Sequence, residues 1–252
     1  MLGVLAFGDS ITNGGGALQW GVALQSWALW TARALGLPYT PYASDGATVQ
    51  TVIGEQLPAF ERRAAAPDGP YDLGCLYIGT NDVRGFDWDP FAYERDLGEA
   101  MAFLSARCER TLTATIPLDL GRPRAGAKVQ DANAIIERCA RATGALVVDL
   151  ARFQGRRLLM ADHVHPTAFG QIAIAERALA VLERDGMTVR TRPTQLVNPS
   201  ESTRWRRLRG DATYLYRHAK VSAEAAASLL RLRLDRAPRA GAAEPGDSHP
   251  PS

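Results

Sequence analysis

Five short β-rich runs alternate with stretches of helical spacing through residues 1–184, and this alternation limits the fold more than any other feature. The runs fall at residues 2–7, 39–43, 73–78, 112–116 and 145–150. Between them, apolar residues recur every three or four positions. Ala23, Trp27, Trp30 and Ala34 share one face, and Gly36 with Pro38 ends that segment. Val49, Val52, Ile53 and Leu57 make a second face. Asp89-Pro90 supplies an N-cap and first helical position ahead of Leu97, Ala100, Met101, Leu104 and Cys108. Ala132, Ile135, Ile136 and Cys139 form a fourth face closed by Gly144, and Ile172, Ala175, Leu179 and Leu182 a fifth.

Strands that alternate with helices imply βαβ units, hence a parallel sheet covered on both faces. Pro41 cannot donate to a ladder, so its run belongs at a sheet edge. The expected fold is a flavodoxin-like three-layer α/β/α sandwich with a parallel five-stranded sheet in the order 2-1-3-4-5. In such a sheet ligands bind beyond the carboxyl ends of the strands. The loops that follow Phe7, Ala43, Ile78, Ile116 and Leu150 are therefore the ones to inspect.

Charge separates the chain into two parts. Residues 1–189 hold 17 basic and 21 acidic residues, a net of −4, whereas residues 190–252 hold 12 and 6, a net of +6. The expected organisation is a catalytic domain over residues 1–189, a basic helical extension over 190–236 and a disordered Pro/Gly/Ala-rich tail over 237–252. No run is long and apolar enough for a membrane span. The start of the chain lacks the basic segment and extended apolar stretch of a signal peptide. Cys75, Cys108 and Cys139 have no metal-type spacing and read as reduced core residues. Together these features lead us to expect a cytoplasmic location.

Four loops carry residues suited to chemistry. The first strand ends in Gly8-Asp9-Ser10-Ile11-Thr12, and a serine on a tight strand-to-helix turn exposes its hydroxyl. The G-x-S-x-G form of that turn is absent, because Thr12 stands in the fifth position. Taken alone, Gly-Asp-Ser reads equally as a helix cap. The second strand leads to Ser44-Asp45-Gly46, where a turn glycine frees a backbone N–H. The third delivers Gly79-Thr80-Asn81-Asp82, whose asparagine amide suits a developing oxyanion and equally a cap. After the fifth come Asp162, His163, His165 and Pro166. A carboxylate three residues before a histidine can orient one imidazole nitrogen and leave the other as a base.

These four blocks occur in order at one edge of the expected sheet, and there the chain resembles the SGNH, or GDSL, esterase/lipase family. Gly8-Asp9-Ser10 matches its first block, with Ile11 in place of leucine. Gly46 matches the second, Gly79-Thr80-Asn81-Asp82 the third, and Asp162, His165 and Pro166, with Gly170 in register, the last. The resemblance covers residues 1–184. It implies a serine hydrolase that cleaves carboxylic esters through an acyl-enzyme, without metal or cofactor. Ser10 would be the nucleophile, His165 the base and Asp162 its orienting carboxylate. The Ser10 and Gly46 N–H groups and the Asn81 side chain would form the oxyanion hole. His163 is read as a structural neighbour of the site and only as the lesser candidate for the base, and Asp149 is the lesser candidate for the place of Asp162. Asp9 and Asp82 are read as loop braces.

Other readings stay in view. The same triad can transfer an acyl group to an alcohol. Asp9, Asp82, Asp162, His163 and His165 could gather a metal for phosphoester hydrolysis, but their spacing does not require it. A non-catalytic binding role is also weighed, because Gly14-Gly15-Gly16 hints at a phosphate loop. That run lacks the Gly-Lys-Ser/Thr ending, however, and G-x-G-x-x-G is absent. The expected partner is a small-molecule or lipid ester, with no nucleic acid. Arg204, Arg206, Arg207 and Arg209 around Trp205 allow peripheral membrane contact, but an accessory helix is preferred. Trp20, Phe86 and Trp88 read equally as the lining of an acyl or aromatic site and as packing, and Arg84 as a partner for an acidic substrate or a solvent-facing side chain.

Overall fold

A computed structural model describes residues 2–17, 22–63, 69–121 and 125–196, together with Tyr216, Ala219, Lys220 and Ala223. Most of the extension expected over 190–236, the tail expected over 237–252 and Trp20 lie outside the described residues. Five parallel strands form one sheet in the order β2-β1-β3-β4-β5. They are β1 Val4–Gly8, β2 Tyr39–Pro41, β3 Leu73–Tyr77, β4 Thr111–Ala114 and β5 Leu146–Val148. All five lie within or beside the β-rich runs. β1 is therefore central, with β2 outside it and β3 on its other flank.

The edge position of β2 follows from its proline. Pro41 lies opposite Ala6, and the next residue, Tyr42, donates its N–H to the Ala6 carbonyl at 2.8 Å. Ser44 donates in turn to Gly8 at 3.1 Å. Alternate residues thus face β1, and the nitrogen that carries no hydrogen falls on the open side of the sheet.

Seven helical segments among described residues 10–184 cover the faces. α1 (Ser10–Asn13) is a single turn directly after β1. α2 (Trp27–Leu35) is capped by the Ser26 hydroxyl on the Leu29 N–H, so Ala23 lies outside it. α3 begins as Val49–Thr51, widens to a π-turn over Val52–Gln56 and continues as Leu57–Arg63. Pro58 accounts for the widening: it has no N–H for Gly54, and its ring crowds that carbonyl. α4 (Thr80–Arg84) and α5 (Pro90–Ser105) follow β3, and Asp89 caps α5 through the Phe91 and Ala92 N–H groups. α6 (Gly126–Thr143) ends at a left-handed Gly144, and α7 (Ala168–Arg184) starts at Thr167.

The pleat of each strand divides the core in two. On β1, Val4 and Ala6 face α2 and α7, while Leu5 and Phe7 face α3, α5 and α6. Phe7 meets Phe60 and Phe103 edge-on and stacks on Tyr42. All three cysteines are free and buried. No described helix is long and apolar enough to cross a membrane. The described chain also runs past residue 189. Arg190 and Thr191 donate backbone N–H groups to Ala34, and Arg192 pairs with Glu176 and Glu183 on α7. This packing carries the body of the molecule through the 3-10 turn Pro193–Leu196.

Candidate active site

The site assembles at the carboxyl edge of the sheet from three connections and α4. β1 ends at Gly8, and Asp9 then caps α1 by accepting the Ile11 N–H at 2.9 Å. That cap turns the chain sharply and presents Ser10 on the first residue of the helix. The Ser10 hydroxyl lies 2.9 Å from Nε2 of His165, and Nδ1 of His165 lies 2.7 Å from Oδ2 of Asp162. The other carboxylate oxygen of Asp162 accepts the Val164 and His165 N–H groups, both at 3.0 Å. Serine, imidazole and carboxylate therefore form one continuous hydrogen-bonded line.

Electrostatics follow this geometry. Burial tends to raise the Asp162 pKa, but hydrogen bonds from the His165 side chain and two backbone N–H groups outweigh it and hold it at about 2. His165 is raised above its ordinary value, chiefly by its hydrogen bond to Asp162, against the effect of burial. Asp9 is different. Buried with one carboxylate oxygen lacking a partner, it is pushed up to about 7 by burial, with its hydrogen bonds opposing. Asp82, which accepts the Val49 N–H at 3.0 Å, is pushed up to about 6, again by burial.

Asn81 is in the first turn of α4. Its side-chain amide donates to the Ala47 carbonyl at 2.9 Å and so ties α4 to the loop that carries Gly46. That bond uses one of the two amide hydrogens. Gly46 adopts a left-handed φ of 74°. Asn13, at the end of α1, reaches the neighbouring Asp45 at 2.9 Å. The three oxyanion candidates thus belong to loops that are hydrogen-bonded to one another.

The glycine run after Ser10 has a packing role. A side chain on Gly15 would lie 2.9 Å from the Ser10 carbonyl and 3.5 Å from the His165 ring. Glycine there allows the loop to close against both residues. Two glutamines that the sequence did not single out fix these loops. Gln56 on α3 accepts the Gly8 N–H at 3.0 Å and donates to the Gly8 carbonyl at 2.9 Å and the Ser44 hydroxyl at 3.1 Å. Fully buried Gln171 on α7 accepts the Trp27 N–H and donates to the Ile11 and Gly15 carbonyls. Isolated glutamines on helices carry no local signal for such contacts.

The lesser candidates sit elsewhere. Nδ1 of His163 lies 3.3 Å from Asp119, and Asp149 takes the Thr115 hydroxyl and the Ala151 N–H. Among the described residues no three His, Cys, Asp or Glu side chains gather to hold a metal. Trp88 packs on Tyr93 with ring centroids 5.1 Å apart, and Phe86 is exposed.

Comparison with known proteins agrees with this architecture. No curated protein matches the chain in sequence. A lipolytic G-D-S-L family protein from Veillonella parvula is 24% identical, with a TM-score of 0.58 over 72% of this chain and 98% of that one. An α/β hydrolase from the metagenome of Lake Arreo in Spain is also 24% identical, with a TM-score of 0.55 over 71% and 94%. An acetylxylan esterase from Geobacillus stearothermophilus is 21% identical, with a TM-score of 0.55 over 75% and 96%. These likenesses establish the fold. The model of the GDSL-like lipase/acylhydrolase family matches residues 6–172, a span that holds all four sequence blocks and the hydrogen-bonded line. The chain belongs to the GDSL-like lipase/acylhydrolase family and is a hydrolase.

Proposed function

We propose that the protein is a serine esterase that cleaves carboxylic esters through an acyl-enzyme. The observation that carries this reading is the line Ser10 Oγ, His165 Nε2, His165 Nδ1, Asp162 Oδ2, with gaps of 2.9 and 2.7 Å. In the first step His165 takes the Ser10 proton as Oγ attacks the ester carbonyl. Asp162 holds the tautomer that leaves Nε2 free and stabilises the imidazolium that forms. The Ser10 and Gly46 N–H groups and the second Asn81 amide hydrogen meet the oxyanion. His165 returns the proton to the departing alcohol. Water, deprotonated by the same imidazole, then attacks the acyl-serine and releases the acid. An alcohol in place of that water would make the same site a transferase, and product analysis with added alcohol separates the two outcomes.

The neighbour that acts on acetylated xylan and the lipolytic neighbour point to two ester classes. A chain-length series of p-nitrophenyl esters beside a panel of acetylated sugars decides between them. Ser10→Ala should abolish turnover, and a phosphonofluoridate should label Ser10 alone. Wild-type turnover by the folded Ser10→Ala protein would overturn the reading.

A further inference from the structure

His163 is the one non-glycine residue with positive φ among the described residues, at 60°. Left-handed backbone is disfavoured for a residue with a side chain, although histidine is found there more often than most. The strain lies in the middle of the catalytic turn. Leu159 and Pro166 form an antiparallel bridge, and Met160 donates its N–H to the His165 carbonyl at 2.8 Å. His163 donates its own N–H to the Met160 carbonyl at 3.0 Å. The left-handed residue folds the chain back at that point. This lets Oδ1 of Asp162 receive the Val164 and His165 N–H groups while Oδ2 faces the imidazole.

The His163 ring is held from outside this turn, by the connection between β4 and α6. Asp119 there lies 3.3 Å from Nδ1 of His163 through one oxygen and accepts the Gly121 N–H at 2.8 Å through the other. Gly121, itself left-handed at 62°, brings its backbone against the ring, since a side chain on it would lie 3.0 Å from Cβ and Cγ of His163. Val164, the next residue, is buried in the core beneath α5 and α6. The turn is thus clamped on both sides of Asp162, by its own hairpin and by a loop about 44 residues earlier in the chain.

We propose that His163 is a positioning residue: its ring, clasped by Asp119 against Gly121, holds the strained turn that presents the Asp162 carboxylate to His165. The β4–α6 connection thereby takes part in setting the basicity of the catalytic imidazole. The proposal rests on the serine-esterase reading above. The charged groups that act on His165 are Asp162 on its own turn, Asp9 at the end of β1 and Arg84 at the end of α4. Among these, the clasp bears on Asp162. A loosened turn weakens the Asp162–His165 hydrogen bond, and the His165 pKa falls.

The test compares His163→Ala, Asp119→Ala and His163→Asn in the full chain, with Asp162→Ala as reference. Asparagine tolerates the left-handed angle and keeps a polar group toward Asp119. We expect His163→Ala and Asp119→Ala to lower kcat about 10-fold with KM little changed. The acid limb of kcat/KM should move to lower pH in both, and the low-field proton resonance of His165 Nδ1–H should broaden or shift. His163→Asn should recover most of kcat. Phosphonofluoridate labelling of Ser10 and the loss of activity in Ser10→Ala check the underlying mechanism separately. If those two hold while folded His163→Ala and Asp119→Ala proteins keep the wild-type kcat, pH profile and proton resonance, the clasp plays no part in catalysis. Equal loss in His163→Ala and His163→Asn would also overturn it, because the asparagine retains the backbone angle. Should either alanine variant fail to fold, Asp119→Asn, which removes the charge but keeps the Gly121 contact, replaces it with the same readouts.

Discussion

At the residue scale, environment divides the ionisable groups by task. Asp162 stays ionised because three hydrogen bonds meet it, whereas Asp9 is pushed toward neutrality by burial. In the proposed mechanism His165 accepts the serine proton and so has to be neutral, and its pKa is raised. The acid limb of kcat/KM should therefore lie above the ordinary histidine value of 6.5 and move down in Asp162→Asn; pH–rate profiles check both. Asn81→Ala should lower kcat by about 10²-fold with a smaller change in KM, because an oxyanion donor acts mainly in the transition state. Asp9 makes a stability prediction. Its folded pKa of about 7 exceeds the ordinary 3.8, so between those values the folded state holds more protons than the unfolded one. Its contribution to stability therefore falls as pH rises through that window and stays low above it. Asp9→Asn keeps an acceptor for Ile11 and removes the buried charge. It should stabilise the fold by about 1–3 kcal/mol at pH 8 and by little at pH 4, as denaturant melts at the two pH values would show. The blocks around Ser10, Asn81 and Asp162–His165 stand out in the sequence because each spans only a few residues; the first two follow strand ends directly, and the last lies in the hairpin before α7. The pairing of His163 with Asp119 was not, because nothing local links two residues in different loops.

At the element scale, the loops of the site are held by helices behind them. Gln171 joins α7 to α2, α1 and the glycine run through three hydrogen bonds. Gln171→Leu leaves one buried N–H and two carbonyls without that partner, at a cost of about 2–4 kcal/mol. Because Gly15 closes on Ser10 and His165, kcat should fall along with the melting temperature. Thermal melts with parallel kinetics measure both, and a loss of stability with full kcat would separate the brace from the site. Gly170 shows a tighter constraint. A Cβ there would drive into the Leu158 carbonyl and lie 2.9 Å from the Pro166 side chain. Gly170→Ala should therefore destabilise the hairpin that carries His165. The helix faces were legible from their 3.6-residue period, and the start of α5 from Asp89-Pro90. The π-turn in α3 was not, since it depends on how Pro58 is accommodated within a helix already packed on the sheet.

At the scale of the whole molecule, one sheet separates two apolar layers, and the loops at its carboxyl edge carry Ser10, Gly46, Asn81, Asp162 and His165. Residues 190–196 dock on α2 and α7, so the packed body extends past the charge boundary at residue 189. A chain truncated after Leu196 should keep small-ester hydrolysis, whereas one cut at residue 189 should lose the Arg192 contacts and melt lower. The full chain should bind anionic vesicles weakly if at all, and any binding should fade with salt, which co-sedimentation at two ionic strengths measures. The order of strands and helices, the edge position of β2 and the identity of the four motif blocks were determined by the sequence alone. They rest on patterns that repeat within a few residues, and such patterns act before the chain has folded. Only the tertiary structure decided that two helical glutamines brace Gly8 and Gly15, that Asp162 rather than Asp149 meets His165, and that Asp119 reaches across to His163. Those contacts depend on which distant atoms the packed sheet brings within hydrogen-bonding distance, and no local pattern encodes that distance.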